Sequence, residues 1–546
     1  MRKKLLKFLA LSLAFVLCVP TAGAARRGEE MVRVGLAYGS GALVGANLEN
    51  NTGYGSGYRF GYFDEDLRFE ELGETDEKET QITVLKAQNT WFYYDRSSGK
   101  YIYSNSDNGG TVVGCFHLLI DSFRRFDDAA EEAEEYDGGF VAWIDGEYQV
   151  RVGAYLSKED ALDAADELGE GEVVGTSAYA VTVIQTGTDR VLFQFDGGED
   201  LALGIMPDVT GEDEVRTWFQ GYKYHGGFRY ERIGGGDLTV VSVVDMETYI
   251  KGVIPFEMSN DWPLEALKAQ AVCARTYAWR QIQGNAYSTY GAHVDDSTNF
   301  QVYNNTLTFD STDTAVNETF GQLLEYNGDP IEAFYYSTSD GHGTDGSVWG
   351  ADASNTPYLR AVTINNKAKK LDLTSNEAFE SFIKDENTDA YDSDFPMFRW
   401  NTKTTSTILD EKIGGVGRIT GLTITSRGAG GYAKTLKVVG TEGSKTFSGQ
   451  SRIRSILGNV SLVYNRKDGS TSTGWDTLPS GFIYIENNGT DENQVTTFTI
   501  YGGGFGHGVG MSQNGAQGMA KQGKTCQEIL KFFYDGCGLM DISEVN

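Results

Sequence analysis

Glycine punctuation constrains this chain more than any other feature of its sequence. Sixty-eight glycines against eight prolines divide it into short stretches, and those stretches are rich in strand-forming residues, 30 tyrosines and 29 phenylalanines among them. Glycine turns a chain at no steric cost, while aromatic and β-branched side chains favour the pleated surface of a sheet. An all-helical fold does not fit such a text. VRVGLAYG alternates Val32, Val34 and Leu36 on one face, TWFYYD at Thr90 is an aromatic strand, and GGFRYERIGGG reads as a hairpin leading to the buried strand LTVVSVVD. LTITSRG, AKTLKVVG and TTFTIYGGG carry the pattern toward the C-terminus. With 546 residues the chain has length for roughly two to four domains.

Residues 1–24 read as a secretory signal. Arg2, Lys3, Lys4 and Lys7 surround the start of an apolar run over 5–19, and Ala22-Gly23-Ala24 offers a small-residue cleavage site. Leu17 stands where lipid attachment at Cys18 needs a small residue, which argues against a lipid anchor. No later segment approaches the apolar length of a membrane helix, so a secreted or cell-wall-associated chain without a transmembrane segment is expected. Loss of the four signal cations takes the formal charge from −31 to −35. So acidic a surface makes nucleic acid a poor partner, and the acidic runs at 70–79 and 127–137 read as solvated faces or loops. Four cysteines then remain, Cys115, Cys273, Cys526 and Cys537, with no CxxC pair, which is neither a disulfide scaffold nor a zinc ribbon. Cys526 and Cys537 are close enough in sequence to pair; buried free thiols are the alternative.

Between about 140 and 185 the pattern becomes strand, helix, strand: EYQVRVGAYLS, KEDALDAADELGE, AYAVTVIQ. The helix sets Ala161, Ala164, Ala165 and Leu168 on one face. Residues 148–157 and the helix after them resemble the SPOR domain, a small module whose family binds peptidoglycan glycan strands stripped of their peptides. An ordinary α+β insertion is the competing reading.

Chemistry concentrates in YIKGVIPFEMSNDWPLEALKAQAVCARTYAW, residues 249–279. A helix is expected to open at Trp262-Pro263, with Pro263 in the first turn and Leu264, Leu267, Ala271, Ala274 and Ala278 on its apolar face. Lys268 and Arg275 fall seven apart on one side, and a buried Arg275 requires a carboxylate or carbonyl partner, so a structural ion pair competes with a ligand contact. Glu257 precedes this helix among Val253, Ile254, Phe256, Met258 and Trp262. Apolar surroundings raise a carboxyl pKa, as a general acid near neutrality requires; a helix-dipole or capping role is the alternative.

This stretch resembles the signature of the SpoIID/LytB family, the stage II sporulation protein D type of peptidoglycan enzyme. The resemblance continues in QVY at 301–303, FYYSTSDGHGT from Phe334, PYLRAV from Pro357 and GFGHGVGMSQNGAQGMAKQG from Gly504. It implies a lytic transglycosylase with Glu257 as catalytic acid/base and with Lys268, Gln270, Arg275, Gln301, Tyr303, Ser337, Ser339, His507, Ser512 and Gln513 as substrate-binding positions. The glycines around His507 permit close backbone approach to a ligand, although a packed, hydrogen-bonded histidine is equally compatible. His342 sits in the glycine-rich loop SDGHGT, where a surface histidine is the simpler reading and a substrate contact the alternative. Where some members carry a Cys/His zinc cluster, GAHVDDSTNFQVY offers only His293, Asp295 and Asp296, so no metal and no other cofactor is expected.

The expected fold is α+β: a mostly β catalytic body with a few helices and a small inserted SPOR-like α+β module. Its divisions are a signal peptide over 1–24, an N-terminal β region over 31–110, the SPOR-like module over 138–186 and the SpoIID-like catalytic domain over 190–540. The partners implied are peptidoglycan glycan strands and, through the LytB relatives, a cell-wall amidase. The alternative to an enzyme is a noncatalytic wall-binding protein that enhances such an amidase.

Overall fold

The computed structural model describes residues 30–545 apart from 51–54, 210–214, 285–286, 304–306, 308 and 366–370. The expected signal segment and Cys18 lie outside the described residues. The fold is mixed and dominated by strands. A seven-stranded sheet runs in the order Val294–Asp295, Met31–Ala37, Thr239–Asp245, Gly227–Glu231, Leu203–Val209, Gly55–Phe63, Phe69–Glu74. The expected hairpin is present as Gly227–Glu231 against Thr239–Asp245. Met31–Ala37 lies on the other side of Thr239–Asp245, antiparallel, with Val32 opposite Val244. A shift of register between Gly35 and Ala37 breaks the strand's alternation, so Ala37 turns inward and Leu36 is only partly buried.

A ten-stranded sheet packs beside it, in the order Glu172–Val174, Phe116–Phe123, Glu147–Tyr155, Gly139–Ile144, Val191–Asp196, Val181–Gln185, Gln81–Lys86, Gly45–Glu49, Thr217–Phe219, Tyr222–Tyr224. Its first four strands, with helices α1 (Phe126–Ala133) and α2 (Lys158–Leu168), form a βαββαβ unit in spatial order 4-1-3-2. The unit starts upstream of the strand–helix–strand text: its first strand and helix occupy 116–133, where the acidic run hides an amphipathic helix that buries only Ala129 and Ala133. Val181–Gln185 belongs instead to the body, paired with Gln81–Lys86, and Gly139–Ile144 runs parallel to Val191–Asp196, so the sheet is continuous. In α2, Ser157 and Asp160 form a capping box and Ala161 is buried, whereas Leu168 is 42% exposed and off the buried face.

Three helices follow the Thr239–Asp245 strand: α3 (Met246–Glu257), α4 (Leu264–Ile282) and α5 (Asp310–Glu318). α4 is buried nearly all round, its alanines admitting close neighbours on every side. Beyond them come α6 (Asn376–Ile383), α7 (Ser406–Asp410) and α8 (Gln450–Leu457). The stretch 400–502 has its own core, including Trp400, Leu422, Leu436, Ile453, Phe498 and Ile500, and its ends meet where Trp400 pairs with Gly502. The chain then returns to the larger core, which includes Val32, Ile250 and Ala271, through α9 (Gln513–Lys521) and α10 (Cys526–Phe533), the latter opened by a Thr525–Glu528 capping box. Cys115, Cys273, Cys526 and Cys537 are free thiols. Among the described residues, no helix is long and apolar enough to cross a membrane.

Candidate active site

Glu257, expected just ahead of the helix at Pro263, is itself the last residue of a helix, α3. The Asp245 side chain caps it by accepting the Thr248 N–H at 3.0 Å, and Pro255, which has no N–H to give, sits in its final turn. The capping alternative for Glu257 does not apply: α4 opens at Pro263 with no side-chain cap, and the C-terminal end of α3 is the negative pole of its dipole, which disfavours a charged carboxylate. Phe256 is 37% exposed while Met258 is buried, so the water-excluding wall is one-sided.

The Glu257 carboxylate is largely enclosed, yet its residue keeps some solvent contact. The Gln513 amide donates to Oε2 at 2.9 Å, and the Tyr335 hydroxyl and the Val302 backbone N–H add two further donors. Burial raises the pKa above the ordinary value; the three donors, which favour the anion, only partly offset it. Behind this shell, Gln301 Nε2 donates to the Tyr335 hydroxyl at 2.9 Å and the Tyr249 hydroxyl donates to Gln301 Oε1 at 3.2 Å. Tyr335 therefore accepts from Gln301 while donating to Glu257, which fixes the direction of the chain of hydrogen bonds.

Gln513 reaches Glu257 across 256 positions of sequence because Met511–Ser512 pairs in parallel with Tyr335–Tyr336. The glycines of GFGHGVG make this possible. A Cβ on Gly510, whose φ is +73°, would lie 2.0 Å from the Phe334 carbonyl oxygen, so the close approach they permit is to the chain itself. Tyr303 lies beneath the site, buried against Tyr249 with ring centroids 4.9 Å apart; a Cβ on Gly252 would come 2.4 Å from its ring.

Of the other expected substrate contacts, several are committed elsewhere. Arg275 has no exposed side-chain surface and grips Glu247 of α3 through two bonds of 2.7 and 2.6 Å, with the Gln322 carbonyl as a third partner: the ion-pair reading, not a ligand contact. Lys268 lies on the same side of α4, bound to Glu265 at 2.9 Å and to Glu318 of α5. Gln270 is fully buried, with neither amide atom hydrogen-bonded. Ser339 and Ser512 both donate to Asp392, at 2.9 and 2.8 Å, a buried carboxylate that no local pattern marks out. Ser337 is half-buried, and its carbonyl accepts the Asn514 N–H at 3.0 Å.

His507 packs among Phe334, Tyr336 and Trp349, and its Nδ1 accepts the Val509 N–H at 3.1 Å; burial lowers its pKa to about 4, so the ring is neutral at neutral pH. His342 is not a surface histidine: it is buried, with Nε2 3.1 Å from the Thr363 hydroxyl. His293 packs against Arg33, and Asp295 accepts from Tyr38, Tyr287, Ser297 and Asn299. Asp296 is pushed up to about 6 by burial. Tyr335 and Tyr249, which complete the shell around Glu257, fall inside the motifs FYYSTSDGHGT and YIKGVIPFEM, but residue type alone does not mark either as a site residue.

The site is thus one enclosed carboxylate at a helix C-terminus, held by amides and a tyrosine from three distant segments of a mixed α/β chain. Residues 234–326 match the family model described as Stage II sporulation protein, and residues 345–510 match one described as a domain of unknown function. The chain is 31% identical over 319 residues to the stage II sporulation protein D of Bacillus subtilis, covering 54% of this chain and 74% of that relative. It is 30% identical over 342 residues to an uncharacterized protein of Brachyspira hyodysenteriae, covering 62% and 78%. It is 31% identical over 307 residues to the amidase enhancer of Bacillus subtilis, but spans only 40% of that relative's length. The chain belongs to the stage II sporulation protein D family.

Proposed function

We propose that this chain is a secreted peptidoglycan lytic transglycosylase that cleaves the linkage between N-acetylmuramic acid and N-acetylglucosamine in peptide-free glycan strands, with Glu257 as its acid/base. The observation that carries the reading is the Glu257 carboxylate itself, enclosed, raised in pKa and aimed by Gln513 and Tyr335. A glycosidase that uses water normally needs two carboxylates, one acid and one base or nucleophile. One suffices when the sugar's own 6-hydroxyl attacks. Protonated Glu257 gives its proton to the glycosidic oxygen as the C1–O bond breaks; the carboxylate then takes the proton of the 6-hydroxyl as O6 bonds to C1, leaving a 1,6-anhydro end.

On this reading Gln301 and Gln513 orient the acid, while Gln270, Tyr303, Ser337, Ser339, Ser512 and His507 shape the glycan groove. The βαββαβ unit holds the strand as a SPOR-like module, and no cofactor takes part. The relative named amidase enhancer makes a cell-wall amidase the partner to test. Denuded glycan digested with wild type and with Glu257→Gln, and read by mass spectrometry, tests the proposal. Anhydro-muramyl products from wild type alone support it; free reducing ends indicate a hydrolase. No products from either protein, with amidase stimulation that survives Glu257→Gln, indicate an enhancer.

A further inference from the structure

A second concavity, of about 950 Å³, lies at the end of the ten-stranded sheet opposite the βαββαβ unit. Strand Gly45–Glu49 forms its floor, the turn after Thr217–Phe219 one wall, and strand Lys100–Ser104 of a separate three-stranded sheet the other. It lies wholly outside both family-model matches. We propose that this groove is a second carbohydrate site, taking a neutral polymer of the N-acetylglucosamine type, distinct from the carboxylate-bearing peptide-free strand proposed for Glu257.

Aromatic rings and hydrogen-bonding groups share the lining. Tyr94 pairs across the hairpin with Tyr101 and Phe92 with Tyr103, so all four share one face of the ribbon, and the Tyr94 and Tyr101 rings stand 5.1 Å apart. Tyr94 is 52% exposed, its ring packed edge-on against Tyr101 and otherwise left at the mouth of the groove. Trp218 stands on the facing wall with the Lys223 ammonium 4.9 Å from its ring. Such rings offer an apolar face to the C–H side of a pyranose and a polar edge to its hydroxyls. Between them the Gln81 and Gln220 amides supply donors and acceptors suited to sugar hydroxyl and acetamido groups, beside Asn47, whose Oδ1 already accepts from Tyr103 and Thr83, and Thr186, whose hydroxyl bonds that of Thr83.

The rings are also preorganised. A Cβ on Gly45 would come 2.6 Å from the Tyr103 ring, and one on Gly187, where φ is +84°, 2.2 Å from the Tyr101 hydroxyl. Each tyrosine thus lies against a glycine that alone leaves it room, and little ordering remains to be done on binding. Charge selects among ligands: the lining carries one carboxylate, Glu49, and one ammonium, Lys100, with the Lys223 ammonium held over the Trp218 ring beside it, in a chain of net charge −31. With no cationic cluster there is nothing to hold a phosphate or nucleic acid, and a neutral polymer fits.

The test uses the full chain with Glu257→Gln, so that no turnover intervenes, and chitotetraose as the probe. Hydrogen exchange is expected to slow over 42–49 and 99–104 on adding the sugar, and a Tyr94→Ala, Trp218→Ala variant is expected to bind roughly tenfold more weakly and to lose that protection while keeping its thermal midpoint. The Tyr94→Ala single variant, altered only at a surface ring, covers the case in which loss of Trp218 unfolds the edge. Protection that is absent from these segments, or unchanged in the folded variant, overturns the assignment. Protection by an aromatic peptide but not by the sugar overturns it as well.

Discussion

At Glu257 two opposed effects are separable, and one side chain separates them. Burial raises the carboxyl pKa, and the Gln513 amide, by bonding the anion, holds it down. Gln513→Leu keeps the volume and removes the donor, so the Glu257 pKa rises further. In the proposed role of general acid Glu257 works in its protonated form, so that role predicts activity lost as pH climbs through its pKa, with the variant's loss at higher pH than wild type's. A hydrogen bond to a charged group is worth about 1.5–3 kcal/mol, which sets the expected displacement at roughly one to two pH units. The pH profile of kcat/KM on denuded glycan reads it directly, since that ratio reports the free enzyme. A limb that stays in place shows that Gln513 does not bond the acid in solution.

Between elements, the pair Arg275–Glu247 has the largest task. Glu247 belongs to α3 and Arg275 to α4; the guanidinium also bonds the Gln322 carbonyl, and Glu247 accepts the Gly321 N–H at 3.2 Å. The two helices and the strand entry are thereby fixed in one relative position, which is what sets the end of α3 against α9. Glu247→Gln leaves a fully buried cation without its counter-charge, and a stability loss of about 3–5 kcal/mol is expected from urea unfolding, whereas Arg275→Met with Glu247→Leu recovers much of it. If the single change costs no more than a surface substitution, the pair does not join the helices. How legible these elements were follows from where their signals lie. α4 and α10 declare themselves through apolar spacing and a capping box. α3 carries the same spacing, with Met246, Tyr249, Ile250, Val253 and Ile254 buried, but its β-branched residues, Gly252 and Pro255 argue locally against a helix that packing then imposes. α1 is masked by acids around its two buried alanines. Nothing local foretells that Met511 pairs with Tyr335, nor that Ser339 and Ser512 share Asp392; the motif glycines mark the region, and only the fold supplies the partners.

Across the whole molecule, two cores answer differently to acid. The stretch 400–502 has its own apolar core, joined to the larger one through the strand pair Trp400 with Gly502 and through Tyr432 and Phe482, and it is the part of the chain best placed to unfold as a unit of its own. It contains no histidine; all five lie elsewhere in the chain. In the remainder, burial holds His117, His342 and His507 at about 4 and His293 at about 3. His117 is typical: neutral, with Nδ1 2.6 Å from the Gly153 carbonyl and Nε2 facing the Gln194 amide at 3.0 Å. A folded-state pKa below the unfolded value of 6.5 gives stability that is complete above 6.5 and is lost as pH falls toward 4, because the unfolded chain binds the proton first. Asp340, raised to about 7, Asp296, raised to about 6, and Asp392 and Glu257, both raised by burial, work in the opposite sense and offset part of the histidines' loss. Calorimetry should therefore resolve two transitions, and on going from pH 7 to 4.5 the larger should move to lower temperature while that of 400–502 holds. His117→Gln removes one term, worth up to about 3 kcal/mol, so the wild type's advantage over this variant in the larger transition shrinks across the same interval. A gap that stays constant with pH means that His117 titrates alike folded and unfolded, and that its burial is not maintained in solution.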